Sequence, residues 1–471
     1  MSGHDTAALP AALPALDWTT DAERLAVLSR DFSWFSPILK RELQGKRADL
    51  AVRPRDQAEL KQLVGECARR RIPLTMRGAA TGNYGQCTPL QGGVLVDMAG
   101  LNRVVWQRGG VVRAEAGIRL AELERRVREQ GCELRVLPST FRVATLGGLF
   151  AGGFGGVGSI TYGPLAAPGN VLGAAALSVQ PEPQTVELRG ADALALHHNW
   201  GTTGLVLELE LALAPAQAWL ELVVAFADDA ARTGFDAALD FGDALALAPG
   251  LPKRNLAVLA EPLPRFIVQG GAKWAAAFPS GSAVALVVVA ESGQGAVAEL
   301  AARFGGRVTH QADSAEAQRR NATVLELCWN HSTLHALKAD PGRTYLQCSF
   351  TPGQHLEQVR AVHRRFGQPA SPGGSPDSAE VLMHVEFIRS LDGPLICTAL
   401  PLPRYQGEQR LQEIIDGYRA LGVRVNNPHH RHVEDGRFGG TLPAAAAAAK
   451  RRLDPFCLLN PGKLRVWPLP E

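Results

Sequence analysis

A chain of 471 residues is long enough for two or three domains with separate hydrophobic cores. Its composition, 46% hydrophobic and 20% charged residues, is ordinary for a globular protein. The formal net charge of +3 argues against nucleic acid as the main partner, and we expect none. Apolar runs stay shorter than the roughly 18 residues that a membrane-spanning helix needs, so we also expect no membrane span.

The seven cysteines are scattered along the chain and form no C-x-x-C pair. An odd number without a regular spacing is typical of free thiols in a reducing compartment. The N-terminal stretch "MSGHDTAALPAALPALDW" has no basic part followed by an apolar part, which a secretory signal would have. We therefore predict a cytoplasmic protein.

The first part of the chain is predicted to alternate between helices and strands. Residues 1–45 form an N-terminal helical segment, in which 21–45 look helical as far as Gly45. "ADLAVRP", "RDQAELKQLVGECARRR" and "IPLTMRG" then predict a βαβ unit that leads into the loop "RGAATGNYGQ". Further strand-like segments end at "GLVLELELALAP", so one domain is predicted over residues 46–215.

The second part of the chain has a different order of predicted helices and strands. Residues 343–427 follow the order strand, helix, strand, strand, helix, strand, which is that of a ferredoxin-like unit. Residues 216–312 hold similar pieces. We predict an α+β fold in which residues 216–427 form a ferredoxin-like cap domain built on an antiparallel sheet. Residues 428–471 are a C-terminal segment that returns to the first domain.

A glycine-rich stretch, "TLGGLFAGGFGGVGSITYG", contains the pattern G-x-G-x-x-G at Gly153, Gly155 and Gly158. A Rossmann fingerprint follows a strand and opens a helix. Here "LGGLF" is not an isolated strand, and the prolines and glycines of "SITYGPLAAPGN" argue against a helix. The context therefore disfavours a nicotinamide-dependent Rossmann enzyme.

Several loops rich in glycine and hydroxyl groups predict one large cofactor instead. "RGAATGNYGQ" follows a strand and offers consecutive backbone N–H groups, the kind of nest that binds a pyrophosphate. "LPSTFRVATLGG" supplies hydroxyl groups and a Gly-Gly approach, and "GTTGLVLELE" is another turn into a strand. Tight turns between strands would explain any one of these loops, but not their combination.

The order of these segments is recognisable. An R-G-x-x-T loop, P-S-T, T-x-G-G, Y-G, a G-x-x-G before a strand and a terminal N-P-G-K follow one another. In this the chain resembles the flavoproteins of the vanillyl-alcohol oxidase and para-cresol methylhydroxylase (PCMH) superfamily, nearest to the D-lactate dehydrogenase and glycolate oxidase FAD-subunit type. The resemblance covers residues 46–215 and 454–464. It implies a two-part PCMH-type FAD-binding domain with a substrate cap.

The resemblance also implies which residues bind FAD. They are Arg77, Gly78, Ala79, Ala80, Thr81, Gly82, Asn83, Tyr84, Gly85 and Gln86 around the pyrophosphate; Pro138, Ser139, Thr140, Thr145, Gly147 and Gly148 along the flavin and ribityl chain; Gly152, Gly153, Gly155, Gly156, Gly158, Ser159, Tyr162 and Gly163 on the other side of the diphosphate; Leu205 and Val206 at a strand edge; and Asn460 and Lys463 from the C-terminal segment, with Lys463 facing the electron-rich end of the ring. Relatives with a histidyl-linked flavin often carry histidine where Ala79 and Ala80 stand here. We therefore expect non-covalent FAD.

Oxidation of a hydroxy acid further requires a cation for the carboxylate and a base for the hydroxyl proton. Three clusters of the predicted cap offer candidates: His384, Glu386 and Arg389 in "VLMHVEFIR", Asn427 and His429 in "NNPHHRHVEDG", and His331 and His335 in "WNHSTLHALK". His384 and Glu386 share one face of a predicted strand, whereas Arg389 has the opposite parity. A purely structural role remains open for each.

Histidine and glutamate are also ligands for divalent metals. Some relatives hold such a metal next to the substrate, but their H-x-G-D-G-N-x-H pattern is absent, and "MHVEF" is at most a degenerate counterpart. A metal site is therefore left open.

The resemblance implies an FAD-dependent dehydrogenase or oxidase that acts on the CH–OH group of a small organic substrate, with a 2-hydroxy acid as the first expectation. Hydride would pass to flavin N5, and electrons would continue to a quinone, a partner protein or oxygen. Two alternatives stay open. One is an oxidase of phenolic or sugar alcohols, and the other is a flavin-holding subunit of a larger redox complex without activity of its own.

Overall fold

The computed structural model describes residues 5–269, 272–369, 374–437 and 440–465. It consists of two compact units. The first unit comprises residues 1–154, 168–216 and 428–471, and the second comprises residues 155–167 and 217–427. One stretch differs from the predicted division, since residues 155–167 pack with the second unit although sequence analysis places them in the first domain.

The described helices and strands follow in chain order. The α-helices are α1 (Leu9–Ala12), α2 (Ala22–Leu28), α3 (Pro37–Glu42), α4 (Gln57–Arg69), α5 (Leu120–Arg128), α6 (Leu146–Gly152), α7 (Ser159–Tyr162), α8 (Ala191–Leu194), α9 (Gly234–Leu247), α10 (Leu263–Gln269), α11 (Gln294–Arg303), α12 (Ser314–Arg319), α13 (Asn330–Ala339), α14 (His355–Phe366), α15 (Glu408–Ala420) and α16 (Ala444–Leu453). The strands are β1 (Trp18–Thr19), β2 (Leu50–Val52), β3 (Leu74–Arg77), β4 (Val94–Asp97), β5 (Val104–Arg108), β6 (Val111–Glu115), β7 (Cys132–Leu134), β8 (Val171–Leu177), β9 (Thr185–Arg189), β10 (Leu205–Pro215), β11 (Trp219–Ala227), β12 (Lys253–Leu259), β13 (Ser282–Ala290), β14 (Arg307–Asp313), β15 (Gln347–Ser349), β16 (Val381–Leu382), β17 (His384–Arg389), β18 (Leu395–Ala399), β19 (Leu402–Pro403) and β20 (Arg424–Asn426).

The first sheet of the first unit carries the predicted βαβ order. Its strands lie in the order β1-β2-β4-β3, and β4 pairs in parallel with both β2 and β3, so that β4 lies between the two strands of the βαβ unit. The helix α4 begins where the Asp56 side chain accepts hydrogen bonds from the backbone N–H groups of Ala58 and Glu59. It buries Leu60, Leu63, Val64, Cys67 and Ala68, which lie within the core cluster of this unit. Burial of this apolar face holds the helix on the sheet.

The second sheet of the first unit is antiparallel, with the strand order β5-β6-β10-β8-β9 and β7 paired to the end of β10. Its central strand β10 is the alternating segment that the sequence predicts to be a strand. Its polar face carries Glu208 and Glu210, which both form ion pairs with Arg113 of the neighbouring strand β6. The alternation thus separates an ionic face from an apolar one.

The N-terminal segment is less regular than predicted. Instead of one helix over residues 21–45, the structure has α2, a 3₁₀ helix at Phe32–Phe35 and α3. Each piece has its own N-cap, in which the side chain of Asp21, Asp31 or Ser36 accepts a backbone hydrogen bond. These local bonds compete with a continuous helix, and Pro37 can occupy only a first turn.

The second unit contains two ferredoxin-like halves. Among its described strands, one sheet runs in the order β14-β11-β13-β12-β17-β18-β15-β20. Each half has the chain order βαββαβ once the short helix α10 of the first half and the two-stranded sheet of β16 and β19 in the second half are set aside. The halves join where β12 pairs antiparallel with β17, with Ala257 opposite Glu386 and Leu259 opposite His384. The predicted antiparallel, ferredoxin-like architecture is therefore confirmed. The similar pieces noted over residues 216–312 form the first half.

No described helix combines the length and the apolar character required to cross a bilayer. All seven cysteines lie in described segments, and each is a free thiol.

Candidate functional site

The loop 77–86, called the first loop below, leaves the end of β3 in the first unit. Residues 77–82 are half-buried, whereas Asn83, Tyr84 and Gly85 are buried. Ala80 has φ 55° and Gly85 has φ 71°, so the chain turns twice through left-handed conformations. The first loop is thus a partly open turn with two left-handed residues.

Three carbonyl groups of the first loop are held by other parts of the first unit. The carbonyl of Gly82 accepts from the N–H of Phe32 over 2.8 Å. The carbonyl of Gly85 accepts from Nζ of Lys463 over 2.6 Å, and that of Gln86 accepts from Nδ2 of Asn460 over 2.7 Å. The C-terminal segment therefore returns to the first loop, with Nζ of Lys463 turned to a backbone carbonyl.

The helix α6 meets the first loop. The hydroxyl of Thr145 caps α6 by accepting from the N–H of Gly148 over 3.2 Å. A Cβ atom on Gly78 would stand 2.2 Å from this hydroxyl oxygen, so only glycine allows the approach. At the other end of α6, Nε2 of Gln86 donates to the carbonyl of Gly152 over 3.2 Å. The first loop and the segment 145–153 therefore form one cradle.

Other residues expected to bind FAD lie around this cradle in the first unit. Thr140 accepts through its carbonyl from the N–H of Ala144 over 2.9 Å and so closes the turn before α6. The ladder between β10 and β8 begins at Leu205, but the ladder between β10 and β6 begins only at Glu208. Leu205 and Val206 therefore lie beyond the end of the β6 ladder.

One element of this region was not predicted, the segment 197–201 before β10. His198 has φ 53° and Trp200 has φ 55°, an uncommon conformation for bulky residues that tends to mark functional sites. The ring of Trp200 stacks on that of Tyr84 in the first loop, with 5.6 Å between the centroids. The backbone carbonyl of Trp200 accepts a hydrogen bond from Nδ2 of Asn460 over 2.8 Å. The letters "HHNWG" before G-x-x-G were the only sequence signal.

Arg437 also belongs to this region and was not predicted. Its Nη2 donates to the carbonyl of His198 over 2.9 Å and to the side chain of Asn199. Its Nε is buried without a hydrogen-bond partner among the described residues. Burial lowers the pKa of Arg437, while nearby Glu434 raises it. Burial also lowers the pKa of His198 to about 4, so this imidazole is neutral at physiological pH.

Part of the glycine-rich stretch lies in the second unit. Six residues that were expected to bind the FAD diphosphate belong to the second unit: Gly155, Gly156, Gly158, Ser159, Tyr162 and Gly163. The N–H of Gly158 donates to the carbonyl of Arg254 over 2.6 Å, and the hydroxyl of Ser159 accepts from the N–H of Gly156 over 3.0 Å. The segment also forms one helical turn, α7, which sequence analysis had excluded; it ends at Gly163, with φ 70°.

His384 and Glu386 lie in the interior of the second unit, with side chains 0% and 1% exposed. Nδ1 of His384 contacts the Ser332 hydroxyl, and its Nε2 lies 2.9 Å from a carboxylate oxygen of Glu386. That carboxylate accepts from the N–H of Trp329 over 2.8 Å and from Asn255 over 3.5 Å. These bonds connect α13 to the junction of the two ferredoxin-like halves. They are the contacts expected if His384 and Glu386 have a structural role.

The remaining candidates differ in how far their polar atoms are engaged. Arg389 is exposed, and its Nη1 donates to the carbonyl of Gly393 in its own turn over 3.0 Å. His429 is buried in the first unit, with Nδ1 2.7 Å from the hydroxyl of Ser36. Asn427 is the last residue of the second unit.

His331 and His335 occupy one face of α13, as their spacing predicts. Nδ1 of each is buried without a hydrogen-bond partner among the described residues. Burial lowers both pKa values, that of His331 to about 4. Both imidazoles are therefore neutral near pH 7 and able to accept a proton.

The described residues contain no group of three or more His, Cys, Asp or Glu side chains placed to hold a metal ion.

The cradle has the features of a ligand-binding site. Its glycines leave no room for side chains at the contact points, and its backbone is fixed from several sides. Buried polar atoms without described partners, Nε1 of Trp200 and Oδ1 of Asn460, remain for a ligand. The loops and the two C-terminal residues expected to bind FAD within the first unit are thus brought together.

Comparisons with known proteins agree with this interpretation. Residues 48–178 match the family model of the FAD binding domain. The glycolate oxidase subunit GlcD of Escherichia coli strain K12 is 28% identical over 211 residues, which are 43% of this chain and 41% of that protein. A D-lactate dehydrogenase of Anaerostipes hadrus is 29% identical over 119 residues, 25% of each chain. The matched segment thus spans less than half the length of these relatives.

Among solved structures, an alkyldihydroxyacetonephosphate synthase superposes with a TM-score of 0.66 at 16% identity, covering 95% of this chain and 83% of that one. At this identity the similarity shows the fold. That fold extends over nearly the whole chain, including the parts that the sequence relatives do not cover.

Proposed function

Since residues 48–178 form an FAD binding domain, we propose that this protein is an FAD-dependent oxidoreductase that oxidises the CH–OH group of a 2-hydroxy acid. The cradle formed by the first loop, the segment 145–153 and the C-terminal residues Asn460 and Lys463 carries the proposal. The similarity to the glycolate oxidase subunit and to D-lactate dehydrogenase supports the substrate class.

Bound FAD supplies a ring that accepts a hydride at N5. The protein must hold this cofactor, bind the substrate carboxylate and take up the hydroxyl proton. The first loop would hold FAD without a covalent bond, because Ala79 and Ala80 offer no group that could form one. Leu205 and Val206 would contact FAD through the backbone of their strand edge, and the stacked pair of Tyr84 and Trp200 would provide apolar contacts.

Arg437 is our candidate for the carboxylate, in place of Arg389. Its guanidinium is half-buried and pairs with no carboxylate among the described residues, although Glu434 lies near enough to influence it. Its Nε points to no described partner, whereas Arg389 is exposed and bound to its own turn. A half-buried guanidinium with an unused N–H is suited to bind an anionic oxygen.

For the proton acceptor we propose His331 or His335. Each has a buried Nδ1 without a described partner, and burial lowers the pKa of each, so a neutral ring is available. His384 is less suited, since both of its ring nitrogens already have partners. The seven free thiols further support a reducing compartment such as the cytoplasm.

A second candidate is a flavin-holding subunit of a larger redox complex, because the E. coli relative is itself described as a subunit. The electron acceptor, whether quinone, partner protein or oxygen, would then include that complex.

Anaerobic mixing with single substrates tests the proposal. We expect the visible flavin absorption to bleach with glycolate or one enantiomer of lactate, and not with benzyl alcohol or a sugar alcohol. Bleaching by the alcohols alone would favour an alcohol oxidase. Bound FAD that no substrate bleaches would contradict the proposal and favour the subunit.

A further inference from the structure

Lys463 is buried directly behind the first loop, with 0% of its surface exposed. Its Nζ donates to the carbonyl of Gly85 over 2.6 Å. Burial lowers the pKa of Lys463 to about 8, Asp31 and Cys87 raise it, and Arg431 lowers it. These are the charged and titratable groups that face it.

Asp31 is buried near Lys463 and near the same peptide unit. Its carboxylate accepts from the N–H of Ser33 over 2.9 Å. Burial raises the pKa of Asp31, while the N–H groups of Ser33 and Gln86 and the charge of Lys463 lower it. In a planar trans peptide the C=O and the following N–H point in opposite directions. Nζ of Lys463 thus binds the oxygen of the peptide between Gly85 and Gln86, and the N–H of this peptide lowers the pKa of the nearby Asp31 carboxyl group.

This peptide unit fixes Gln86, which links the two halves of the cradle. The side chain of Gln86 donates to the carbonyl of Gly152 over 3.2 Å, and its own carbonyl accepts from Asn460 over 2.7 Å. Rotation of the peptide would move both contacts.

Burying the ammonium group of a lysine near a carboxyl group costs free energy, because both groups lose their hydration. Apolar side chains of similar volume often serve stability equally well, because they avoid the desolvation of two charges. Among the described residues, Nζ of Lys463 donates to one backbone carbonyl under the first loop, and stability alone does not explain a buried lysine there.

We propose that Lys463 is a positioning residue for FAD binding, which acts through the Gly85 carbonyl and Gln86 with Asp31 as its counter-charge. The inference rests on the proposed function only in that the first loop binds FAD. The substrate and the electron acceptor do not enter it.

FAD titration of the apoprotein, followed by flavin fluorescence, tests this role. We expect K463M to raise the Kd for FAD about tenfold or more, because a charge-assisted hydrogen bond is lost. K463R, which keeps the charge, should recover part of the affinity. K253M is the matched control, since Nζ of Lys253 also donates to a backbone carbonyl, that of Ala248, but in the second unit. The Kd of K253M for FAD should equal that of the wild type.

The double variant D31N/K463M separates positioning from stability, because it leaves no unpaired charge behind. We expect its apoprotein to melt close to the wild type while its Kd for FAD remains raised. The wild-type Kd should also rise as the pH rises through about 8, where Lys463 loses its proton, whereas the Kd of K463M should not change there.

A double variant that binds FAD as tightly as the wild type, or parallel pH profiles of wild type and K463M, would overturn the inference. Wild-type protein that binds FAD but oxidises no hydroxy acid would contradict the proposed function alone. Wild-type protein that binds no FAD would contradict both.

Discussion

The side chain of Gln86 occupies the space that a Cβ atom on Gly82 would need, since that atom would stand 1.8 Å from Oε1 of Gln86. The same side chain bonds to the carbonyl of Gly152. The absence of a side chain at Gly82 therefore allows the link between the two parts of the cradle.

Gly82→Ala should weaken FAD binding severalfold with little loss of stability. The new methyl group would displace the flexible amide end of the Gln86 side chain. The hydrogen bond from Nε2 of Gln86 to the carbonyl of Gly152 would then be lost. Titration with FAD and thermal melting of the apoprotein measure the two effects. Gly295→Ala is the control, because a Cβ there meets nothing within 4 Å. Equal FAD affinity of Gly82→Ala and the wild type would show that the link is not needed.

Thr145→Val should lower the free energy of unfolding by about 1 kcal/mol, because α6 loses its side-chain cap. Thr145→Ser keeps a hydroxyl and should lie close to the wild type. Urea denaturation of the three proteins provides the comparison. A valine variant as stable as the serine variant would mean that the cap contributes nothing.

Glu386→Ala should destabilise the fold by roughly 3 kcal/mol or more, because it removes the partner of buried His384 and of the Trp329 N–H. Glu386→Gln keeps the shape and should cost less. Urea denaturation tests the stability, and anaerobic flavin reduction tests the chemistry. A Glu386→Ala protein of normal stability that no longer reduces its flavin would favour the catalytic interpretation instead.

Arg437→Gln should raise KM for a 2-hydroxy acid by about tenfold or more, since a charged hydrogen bond to the carboxylate would be lost. Any activity toward a neutral alcohol should change little. Arg437→Lys serves as the charge-retaining control. Equal effects on charged and neutral substrates would remove the carboxylate from the proposal.

Acid should destabilise the protein below neutral pH. Burial lowers the pKa of His198, His331 and His363 from 6.5 to about 4 each. The unfolded chain takes up these protons near pH 6.5 and the folded chain only near pH 4. The free energy of unfolding therefore falls as the pH drops from 6.5 to 4.

His363→Phe isolates one of these groups. The imidazole packs against the ring of Phe235 at 4.3 Å between centroids, so a phenyl ring keeps the apolar contact without the titration. Urea denaturation over this pH range should give a shallower dependence for the variant. An unchanged slope would show that His363 is protonated equally in both states.

Local sequence patterns predicted much of the fold. Periodicity placed α4 and β10, and the order of elements over residues 343–427 revealed a ferredoxin-like half. The N-terminal helix was predicted as one piece because the helical propensity of residues 21–45 hides caps at Asp31 and Ser36. Such side-chain bonds are decided over a few residues and override propensity.

The candidate site was predicted only in part, because its contacts join distant residues. The motifs identified the first loop and Thr145, but no pattern showed that Lys463 lies under Gly85. Arg437 and the strained segment 197–201 were missed, since backbone conformation and a hydrogen bond across more than 200 residues leave little trace in the sequence. Conversely, His384 and Glu386 have the i, i+2 spacing that suggested a catalytic pair, but both side chains are buried in the interior of the second unit.

The visible absorption spectrum of the purified protein, repeated on the supernatant after acid precipitation, shows directly whether the protein binds FAD and whether the bond is covalent. We predict flavin bands in the native protein, or after reconstitution with FAD, and their complete transfer to the supernatant. Bands that stay with the pellet would contradict non-covalent binding. The absence of flavin even after reconstitution would contradict the account as a whole.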